Sequence, residues 1–344
     1  MTSTTLQIRN GNPHFVLHEE SHNAPSHHPD CVRIQIINLL VSNTELSILN
    51  KTKNVPEGLV LGGVGLGKVL ELNEIKNSTE KHTLKVGDIV VISSKVPCQE
   101  CAACEKCRWE ECKNPKTAGL HTNGIAASDA WVHHSVLTPV DVNPDVESVR
   151  QLLLHEWVST GIWLSAHENM TKDSVIGVIG RPFVIQLLKS VVEDLAAVEV
   201  VAIQQNLVPG GTGRFDIIID CDGEALLPED IVKLVRPGGA LFHSYTAPRV
   251  AALERLPNIS SLRQIPLQLG PSFLAVEWII QNPQHFKEMG AAFEFSPVGL
   301  EDLLKNEGLR ETYGFMYFEL RPQWAQWSNL DQGVVLNSSV ENVV

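Results

Sequence analysis

Apolar and polar positions alternate with a period of two in the first third of the chain, which is typical of half-buried β-strands. The alternation is clearest at residues 32–37. Residues 59–72 and 86–93 are also predicted as strands, punctuated by glycines that suit bulges and tight corners. A further strand is expected at residues 130–136. Several short strands joined by glycine-rich turns predict a small β-barrel domain.

The pattern changes after residue 150. Apolar side chains recur at helical spacing between residues 151 and 169, and the short apolar run at residues 175–180 is typical of a buried parallel strand. Further elements follow in turn: a helix at about 183–195, strands at 198–203 and 215–223, a helix at about 227–234, and strands at 240–244 and 313–320. Alternating strands and helices predict a parallel α/β domain.

The two ends of the chain lack this regular patterning. Residues 1–30 contain five histidines spread among asparagine, serine and proline: His14, His18, His22, His27 and His28. A histidine-rich tract can bind metal, but this setting predicts a solvated leader instead. A helix is expected to begin at Ser296, which suits an N-cap. Residues 321–344 are polar and are expected to form an extra tail.

The densest chemical signal is a cluster of cysteines. Cys98, Cys101, Cys104 and Cys112 follow the spacing C-x2-C-x2-C-x7-C, which lets thiolates converge on one tetrahedral zinc ion. Four sulfurs leave no open coordination position, so this zinc would be structural and not catalytic. A pair of disulfides is the alternative, which a reducing compartment disfavours. Cys107 has a spacing that the cage does not need and is expected to be a free thiol.

The bulk composition restricts the choice of partners. A chain of 344 residues is long for one core, so two domains are expected. The net charge of −13 argues against nucleic acid or an anionic membrane as a partner. No run of 18 apolar residues occurs, and the first residues lack the basic start and apolar core of a secretory signal. The expectation is a cytoplasmic protein that binds a small-molecule substrate.

The cysteine cluster and its surroundings resemble the structural zinc lobe of the zinc-type medium-chain alcohol and polyol dehydrogenases. The segment Leu84-Lys-Val-Gly-Asp-Ile-Val-Val-Ile92 resembles the strand LKVGDRVVV of that family, and Arg236-Pro-Gly-Gly239 resembles its turn LRPGG. The resemblance covers most of the chain. It implies an α/β protein with a GroES-like β-barrel domain that carries the zinc lobe, plus a shortened Rossmann doubly wound domain.

This resemblance also implies where the domains begin and end. The implied order is a leader at 1–30, a GroES-like catalytic domain at 31–160 with its zinc lobe at 98–112, a Rossmann domain at 161–285, a return to the catalytic domain at 286–320, and the tail at 321–344. Members of the family commonly pair through the edge of the Rossmann sheet, so a homo-oligomer is implied as well.

The chain departs from the family at the catalytic zinc. The pattern GxCGTDxH falls on residues 40–47, where Ser42 replaces a cysteine ligand and Ser47 replaces a histidine that often relays a proton. The pattern LGHExxG falls on residues 61–67, where Gly63 replaces the histidine ligand. A catalytic zinc needs three protein ligands, a serine hydroxyl is a poor ligand, and glycine has no side chain. The catalytic zinc is therefore expected to be lost.

The third ligand region of the family falls on His155 and Glu156. In a zinc-independent enzyme, Ser42, Thr44 or His155 would hydrogen-bond the substrate carbonyl in place of the metal. In a non-redox enzyme, His155 and Glu156 would act as acid and base. A misalignment, or a metal site rebuilt from this pair and another histidine, stays open; the candidates for the third ligand are His121, His133 and His134.

The dinucleotide signature is reduced too. After the strand at residues 175–180 the chain reads Gly180-Arg181-Pro182, with only the first glycine of G-x-G-x-x-G. Arg181 could meet a phosphate, and the next strand ends at Gln204 instead of the acid that binds the ribose. Roughly one βα unit, which takes ~30 residues, is missing before residue 215. We therefore expect Gly180, Arg181 and Gln204 to bind NAD(P) weakly.

Three functions remain open from the sequence. The first is a zinc-independent, NAD(P)-dependent oxidoreductase acting on a small alcohol or carbonyl. The second is a non-redox lyase or cyclase that uses the same cleft, and the third is a non-catalytic binding or partner protein. Cofactor binding separates the first from the others, and turnover separates the second from the third.

Overall fold

The computed structural model describes fifteen segments of the chain: residues 3–18, 30–51, 54–73, 84–106, 112, 114–140, 151–166, 170–180, 182–196, 198–203, 213–221, 228–243, 261–264, 273–288 and 316–319. The side chains of residues 3, 17–18, 43–44, 228–229, 261–264, 287–288 and 316–319 are outside the description. Cys107, Arg181, Gln204, Ser296 and the tail at 321–344 also lie outside the described residues. Predictions for them therefore stay predictions.

Fifteen strands and six helices are found in the described part of the chain. The strands are β1 Ser3–Arg9, β2 Asn12–His18, β3 Cys31–Val41, β4 Val64–Leu72, β5 Ile89–Ile92, β6 Lys95–Val96, β7 Lys116–Thr117, β8 Asp129–His133, β9 Leu137–Pro139, β10 Val175–Ile179, β11 Glu199–Ala202, β12 Phe215–Asp220, β13 Val235–His243, β14 Ser261–Gln264 and β15 Met316–Glu319. The helices are α1 Asn43–Leu49, α2 His155–Ser165, α3 Pro182–Ala196, α4 Pro228–Leu234, α5 Phe273–Gln281 and α6 Pro283–Glu288. None of these helices is long and apolar enough to cross a bilayer.

The chain divides into two compact units. The first consists of Met1–Leu154, Gln268–Glu277 and Phe295–Val344, and the second of His155–Leu267 and Trp278–Glu294.

An antiparallel sheet of six strands organises the first unit. Its order is β15-β3-β4-β5-β9, and β8 also pairs with β3. The long strand β3 alternates buried and partly exposed residues over its first half, because only one of its faces packs on the core there. Val32, Ile34 and Ile36 supply that face and are almost fully buried. The strand predicted at residues 59–72 is shorter than expected, since the regular pairing begins at Val64.

The N-terminal residues are not a solvated leader, so that expectation is wrong for residues 3–18. They form the antiparallel hairpin β1–β2, with its turn at Asn10 and Gly11. Several backbone hydrogen bonds attach β1 to the domain, among them those from the Leu6 N–H to Ala126 O and from the Leu61 N–H to Leu6 O. Leu6 and Ile8 belong to the same hydrophobic cluster as β3, so the hairpin is part of the core.

Five parallel strands form the sheet of the second unit, in the order β11-β10-β12-β13-β14. This confirms the predicted parallel α/β domain. The complete doubly wound order has a further strand beyond the one that β11 represents. Here β11 ends at Ala202 and β12 begins at Phe215, which leaves too little chain for a βα unit of ~30 residues. The Rossmann sheet is therefore shortened at its β11 edge.

The sequence of the helix α3 explains where this helix begins and which of its faces is buried. Pro182 occupies its first position, where a missing N–H has no intrahelical partner to lose. Val184, Leu187, Leu188 and Val191 recur at helical spacing and are buried. The predicted turn at residues 237–239 is found instead as an irregularity within β13, where the register shifts relative to β12 and Gly238 has a φ of 88°.

Candidate functional site

The four predicted zinc ligands converge in the zinc lobe. Their Sγ atoms all lie within 4.8 Å of one another. Individual separations are 3.5 Å for Cys101–Cys104 and Cys98–Cys112, 3.9 Å for Cys98–Cys104, and 4.0 Å for Cys101–Cys112. A zinc ion with Zn–S bonds of about 2.3 Å holds its sulfurs about 3.8 Å apart in a tetrahedron. The cluster therefore has the dimensions of a zinc cage and not of disulfides, and its cysteines are free thiols in the structure.

Burial raises the pKa of thiols in this cluster, so a bound cation is needed to keep all four as thiolates at neutral pH. Burial raises the pKa of the Cys104 thiol to about 12, and the hydrogen bond with Cys101 adds to the rise. Burial also raises the pKa of Cys112. The Cys98 N–H donates to the sulfur of Cys112 at 3.3 Å, as backbone donors do toward metal-bound thiolates. Four adjacent thiolates at neutral pH need the charge of a bound metal, so these residues would hold a structural zinc ion.

Ser42 and Gly63, at the two ligand positions where the chain departs from the family, are joined by a buried carboxylate. Ser42 directly precedes α1, and its side chain donates a hydrogen bond to Glu45 Oε2 at 2.5 Å. The Ser42 N–H also donates to Oε2, at 2.9 Å. The Gly63 N–H donates to the other oxygen, Oε1, at 3.0 Å. One side chain thus holds together the segments that carry Ser42 and Gly63.

Glu45 is a buried carboxyl group. It is only 3% exposed, and its hydrogen-bond donors among the described residues, the Ser42 hydroxyl and backbone N–H groups, are neutral. Burial raises the pKa of the Glu45 carboxyl group, and the hydrogen bonds from Ser42 and Gly63 oppose the rise without cancelling it. A carboxyl group in this position favours its protonated form more than an exposed glutamate does.

The sequence analysis missed Glu45, although a signal was present. Ser42-Asn43-Thr44-Glu45 has the spacing S-x-x-E of a capping box, in which the glutamate turns back to the N–H of the capping residue. The 2.9 Å bond from the Ser42 N–H is that interaction. What the spacing does not predict is the reach of the same carboxylate to Gly63, which is distant in sequence.

Gly63 has little room for a side chain. A Cβ atom there would lie 2.9 Å from Ser94 Cβ and 3.3 Å from the carbonyl oxygen of Ala118. The histidine that the family carries at this position therefore does not fit onto the backbone as it stands.

The other candidate residues are distributed over both units. Thr44 lies in α1 of the first unit, and its side chain is outside the description. His155 and Glu156 occupy the first turn of α2 in the second unit, with His155 fully buried. Two histidines considered for a rebuilt metal site make local contacts: His121 Nδ1 accepts the Thr117 N–H at 3.1 Å, and His133 Nδ1 lies 2.8 Å from Ser135 Oγ.

The carboxyl ends of β10, β12 and β13 meet at one edge of the parallel sheet. The chain proceeds from β10 to β11 in one direction and from β12 to β14 in the other, which places the topological switch point between β10 and β12. Open α/β sheets bind dinucleotides at that point. Gly180 follows β10 there, and a Cβ atom on it would lie 3.2 Å from Cys221 Cβ.

Two polar residues close the neighbouring strands at this edge. Asp220 ends β12 and His243 ends β13 beside it in register, and both are buried. Burial lowers the pKa of His243, while the nearby charge of Asp220 opposes that change. The glycine turn, the start of α3 and the switch point fit a dinucleotide pyrophosphate, although Pro182 has no N–H to offer it.

Known proteins resemble this chain both in the β-barrel domain and in the fold of nearly the whole chain. Residues 28–142 match the family of the alcohol dehydrogenase GroES-like domain. Among solved structures, the alcohol dehydrogenase TADH from Thermus sp. ATN1 is 16% identical, with a TM-score of 0.66 over 92% of this chain and 99% of that one. L-idonate 5-dehydrogenase from Escherichia coli is 17% identical, with a TM-score of 0.65 over 93% and 98%.

A third similar structure contains a cofactor. The protein CAD from Helicobacter pylori, complexed with NADP(H), is 15% identical, with a TM-score of 0.65 over 93% of this chain and 99% of that one. Residues 28–142 thus resemble the alcohol dehydrogenase GroES-like domain, and the whole chain shares the fold of these dehydrogenase structures.

Proposed function

We propose that this chain is an oxidoreductase that uses a nicotinamide dinucleotide to interconvert a small alcohol and its carbonyl compound without a catalytic zinc. One observation carries the proposal: the Glu45 carboxylate hydrogen-bonds both Ser42 and Gly63. These positions align with a cysteine and a histidine ligand of the family. In this chain, hydrogen bonds to Glu45 join the segments that carry Ser42 and Gly63. In the zinc-type family, a metal ion would join the same two segments, so the site keeps a defined shape without that ion.

Ser42 is the residue proposed to contact the substrate oxygen. Its hydroxyl group is anchored by Glu45 at 2.5 Å, and the residue is only partly buried. When Glu45 is protonated and its carboxyl group donates to Ser42 Oγ, the single hydroxyl hydrogen of Ser42 can be donated to a carbonyl oxygen. Zinc fills that role as a Lewis acid in the family. Thr44 is proposed as a second hydroxyl donor, and His155 and Glu156 stay candidates for acid and base on sequence grounds.

Gly180, Arg181 and Gln204 are proposed to hold the dinucleotide. Gly180 would admit the pyrophosphate at the turn before α3, Arg181 would pair with a phosphate oxygen, and Gln204 would hydrogen-bond the ribose. When bound, the dinucleotide supplies or accepts the hydride. The residues of the chain position the substrate and manage the proton.

Steady-state kinetics on protein with one zinc per chain tests this function. Small aldehydes, ketones and their alcohols are assayed with NADH, NADPH and their oxidised forms, before and after treatment with a mild chelator. The expected result is turnover that the chelator leaves unchanged. Turnover that depends on a second metal equivalent would contradict the zinc-independent mechanism. No turnover on any pair, together with no dinucleotide binding, would leave a redox-inactive relative as the better description.

A further inference from the structure

The hydrogen bonds of Glu45 go beyond those of a capping box. In a capping box the N-cap hydroxyl bonds a backbone N–H of the helix, and the glutamate bonds the N-cap N–H. Here the Ser42 hydroxyl bonds the Glu45 carboxyl group directly, at 2.5 Å. That separation is in the range of short O–H···O bonds involving a carboxyl group. The two side chains are therefore coupled to each other as well as to the helix backbone.

Glu45 and Ser42 also differ in their access to solvent. Glu45 is 3% exposed, whereas Ser42 is only partly buried. No cation is found among the hydrogen-bond and ion-pair partners that the described residues provide for Glu45. A buried carboxylate without a cation is unfavourable, and binding a proton removes that penalty. A carboxyl group that favours its protonated form thus lies one hydrogen bond away from the hydroxyl of a partly buried residue.

We infer that Ser42 and Glu45 form a proton relay, in which Glu45 holds the proton and Ser42 passes it to the oxygen of a neutral carbonyl substrate. This inference rests on the proposed function. It gives a proton-transfer role to Glu45, which falls on the aspartate of the pattern GxCGTDxH, and it names the substrate class. A substrate with a carboxylate at the reacting end would lie beside the Glu45 carboxylate that the proton transfer leaves, so neutral aldehydes and ketones are favoured.

The relay supplies the proton that the reduction of the carbonyl group needs in addition to the hydride. A bound reduced nicotinamide would supply a hydride to the carbonyl carbon, and the electrons of the C=O π bond would move to the oxygen. The Ser42 hydroxyl gives its proton to that oxygen, and an O–H bond of the alcohol forms. The protonated Glu45 carboxyl group donates to Ser42 Oγ in this state, the reverse of the direction with an ionised Glu45, and Ser42 takes that proton at the same time. Glu45 is left as a carboxylate and recovers its proton from water after the product leaves. Oxidation of the alcohol follows the same steps in reverse.

The raised pKa of Glu45 supports this assignment. The capping-box role alone would also explain a buried glutamate, so the test needs a variant that keeps the cap and removes the transferable proton. Glu45→Gln is that variant, because glutamine also serves in a capping box. Glu71→Gln makes the same chemical change at a side chain that is 54% exposed, and it serves as the control.

Two measurements decide the inference. Infrared spectroscopy of the dinucleotide-free protein, with isotope-labelled glutamate, should show a protonated carboxyl band at neutral pH that disappears in Glu45→Gln and persists in Glu71→Gln. Carbonyl reduction at neutral pH should fall about a hundredfold in kcat for Glu45→Gln, with KM nearly unchanged. Ser42→Ala should fall as far, and the double variant should fall no further than the worse single variant.

Opposite results would overturn the relay. An infrared spectrum that shows an ionised Glu45 in the wild-type protein would overturn the relay, and this measurement does not require any variant to fold. Full turnover by Glu45→Gln would also overturn the relay. If the wild-type chain reduces no carbonyl compound, the proposed function fails on its own. The relay is then still judged by the protonation state of Glu45.

Discussion

A Cβ atom placed on Gly63 would lie 2.9 Å from the Cβ atom of Ser94. Side chains of residues packed in a core do not approach that closely, so Ser94 and the carbonyl of Ala118 restrict residue 63 to glycine. Gly63 also donates its N–H to Glu45. The same backbone position thus leaves no room for a histidine side chain and donates a hydrogen bond to a buried carboxyl group.

Gly63→Ala should therefore destabilise the protein by about 1–3 kcal/mol, the range for overpacking a well-packed site. Urea unfolding of the purified variant measures the difference. Removing the opposing Cβ atom in the double variant Gly63→Ala/Ser94→Gly should recover part of the loss, which a double-mutant cycle detects. An alanine variant as stable as the wild type would show that the backbone adapts freely at this position.

Cys101→Ser should release the zinc ion and unfold the lobe. Metal binding by structural zinc sites is coupled to folding and is worth ~10–16 kcal/mol in small zinc domains, so we expect a loss of at least ~3 kcal/mol here. Metal analysis should find close to one zinc per chain in the wild type and much less in the variant. Cys107→Ser is the matched control from the same segment and should keep its zinc. The reverse pattern would mean that the four ligands are assigned wrongly.

Glu45 should make the stability depend on pH. Its pKa is raised above the ordinary value of 4.5 in the folded state. Its contribution to stability is therefore fully present below the pKa of the unfolded chain and is lost as the pH rises through the folded pKa. Relative to Glu45→Gln, the wild type should lose up to ~1.4 kcal/mol per pH unit across that window.

Denaturant unfolding of both proteins at a series of pH values measures this difference. The difference in unfolding free energy between the wild type and the control variant Glu71→Gln should change much less with pH. A wild-type advantage that grows as the pH rises would mean that the folded state prefers the ionised carboxylate, contrary to its burial.

Leu6→Ala should show that the N-terminal hairpin belongs to the core. Leu6 is 2% exposed, and truncating a buried leucine costs about 2–5 kcal/mol. Leu70→Ala, at a leucine that is 38% exposed, should cost within about 0.5–1 kcal/mol. Thermal or urea unfolding compares the two variants. Equal, small effects would mean that the hairpin contributes little to the stability of the first unit.

Dinucleotide binding should be weak for both NADH and NADPH. The turn after Gly180 lacks two glycines, Pro182 lacks an N–H, and the shortened sheet ends at β11. A combined loss of ~4 kcal/mol would weaken a micromolar site about a thousandfold. Isothermal titration calorimetry gives the dissociation constants directly. A micromolar or tighter constant for either dinucleotide would show that Arg181 and the remaining contacts compensate for these losses.

The sequence alone determined the zinc lobe and the type of each domain. Ligand spacing is a local property, so C-x2-C-x2-C-x7-C predicts a cage that the sulfur positions match. Hydrophobic periodicity is local as well, and it located β3, β10, β12 and α3 to within a few residues. The short interval between β11 and β12 likewise follows from chain length, and the strand order agrees with it.

The tertiary structure decided the role of the remaining residues. The prediction of a polar leader at residues 3–18 overlooked Asn10-Gly11, a two-residue hairpin turn between alternating runs. The tertiary structure adds distant partners of β1, among them Leu61 and Ala126. Ser42 and Gly63 read as two separate losses in the sequence. Only the fold brings the Glu45 carboxylate between them, since hydrogen bonding and burial depend on groups that approach in space from distant parts of the chain.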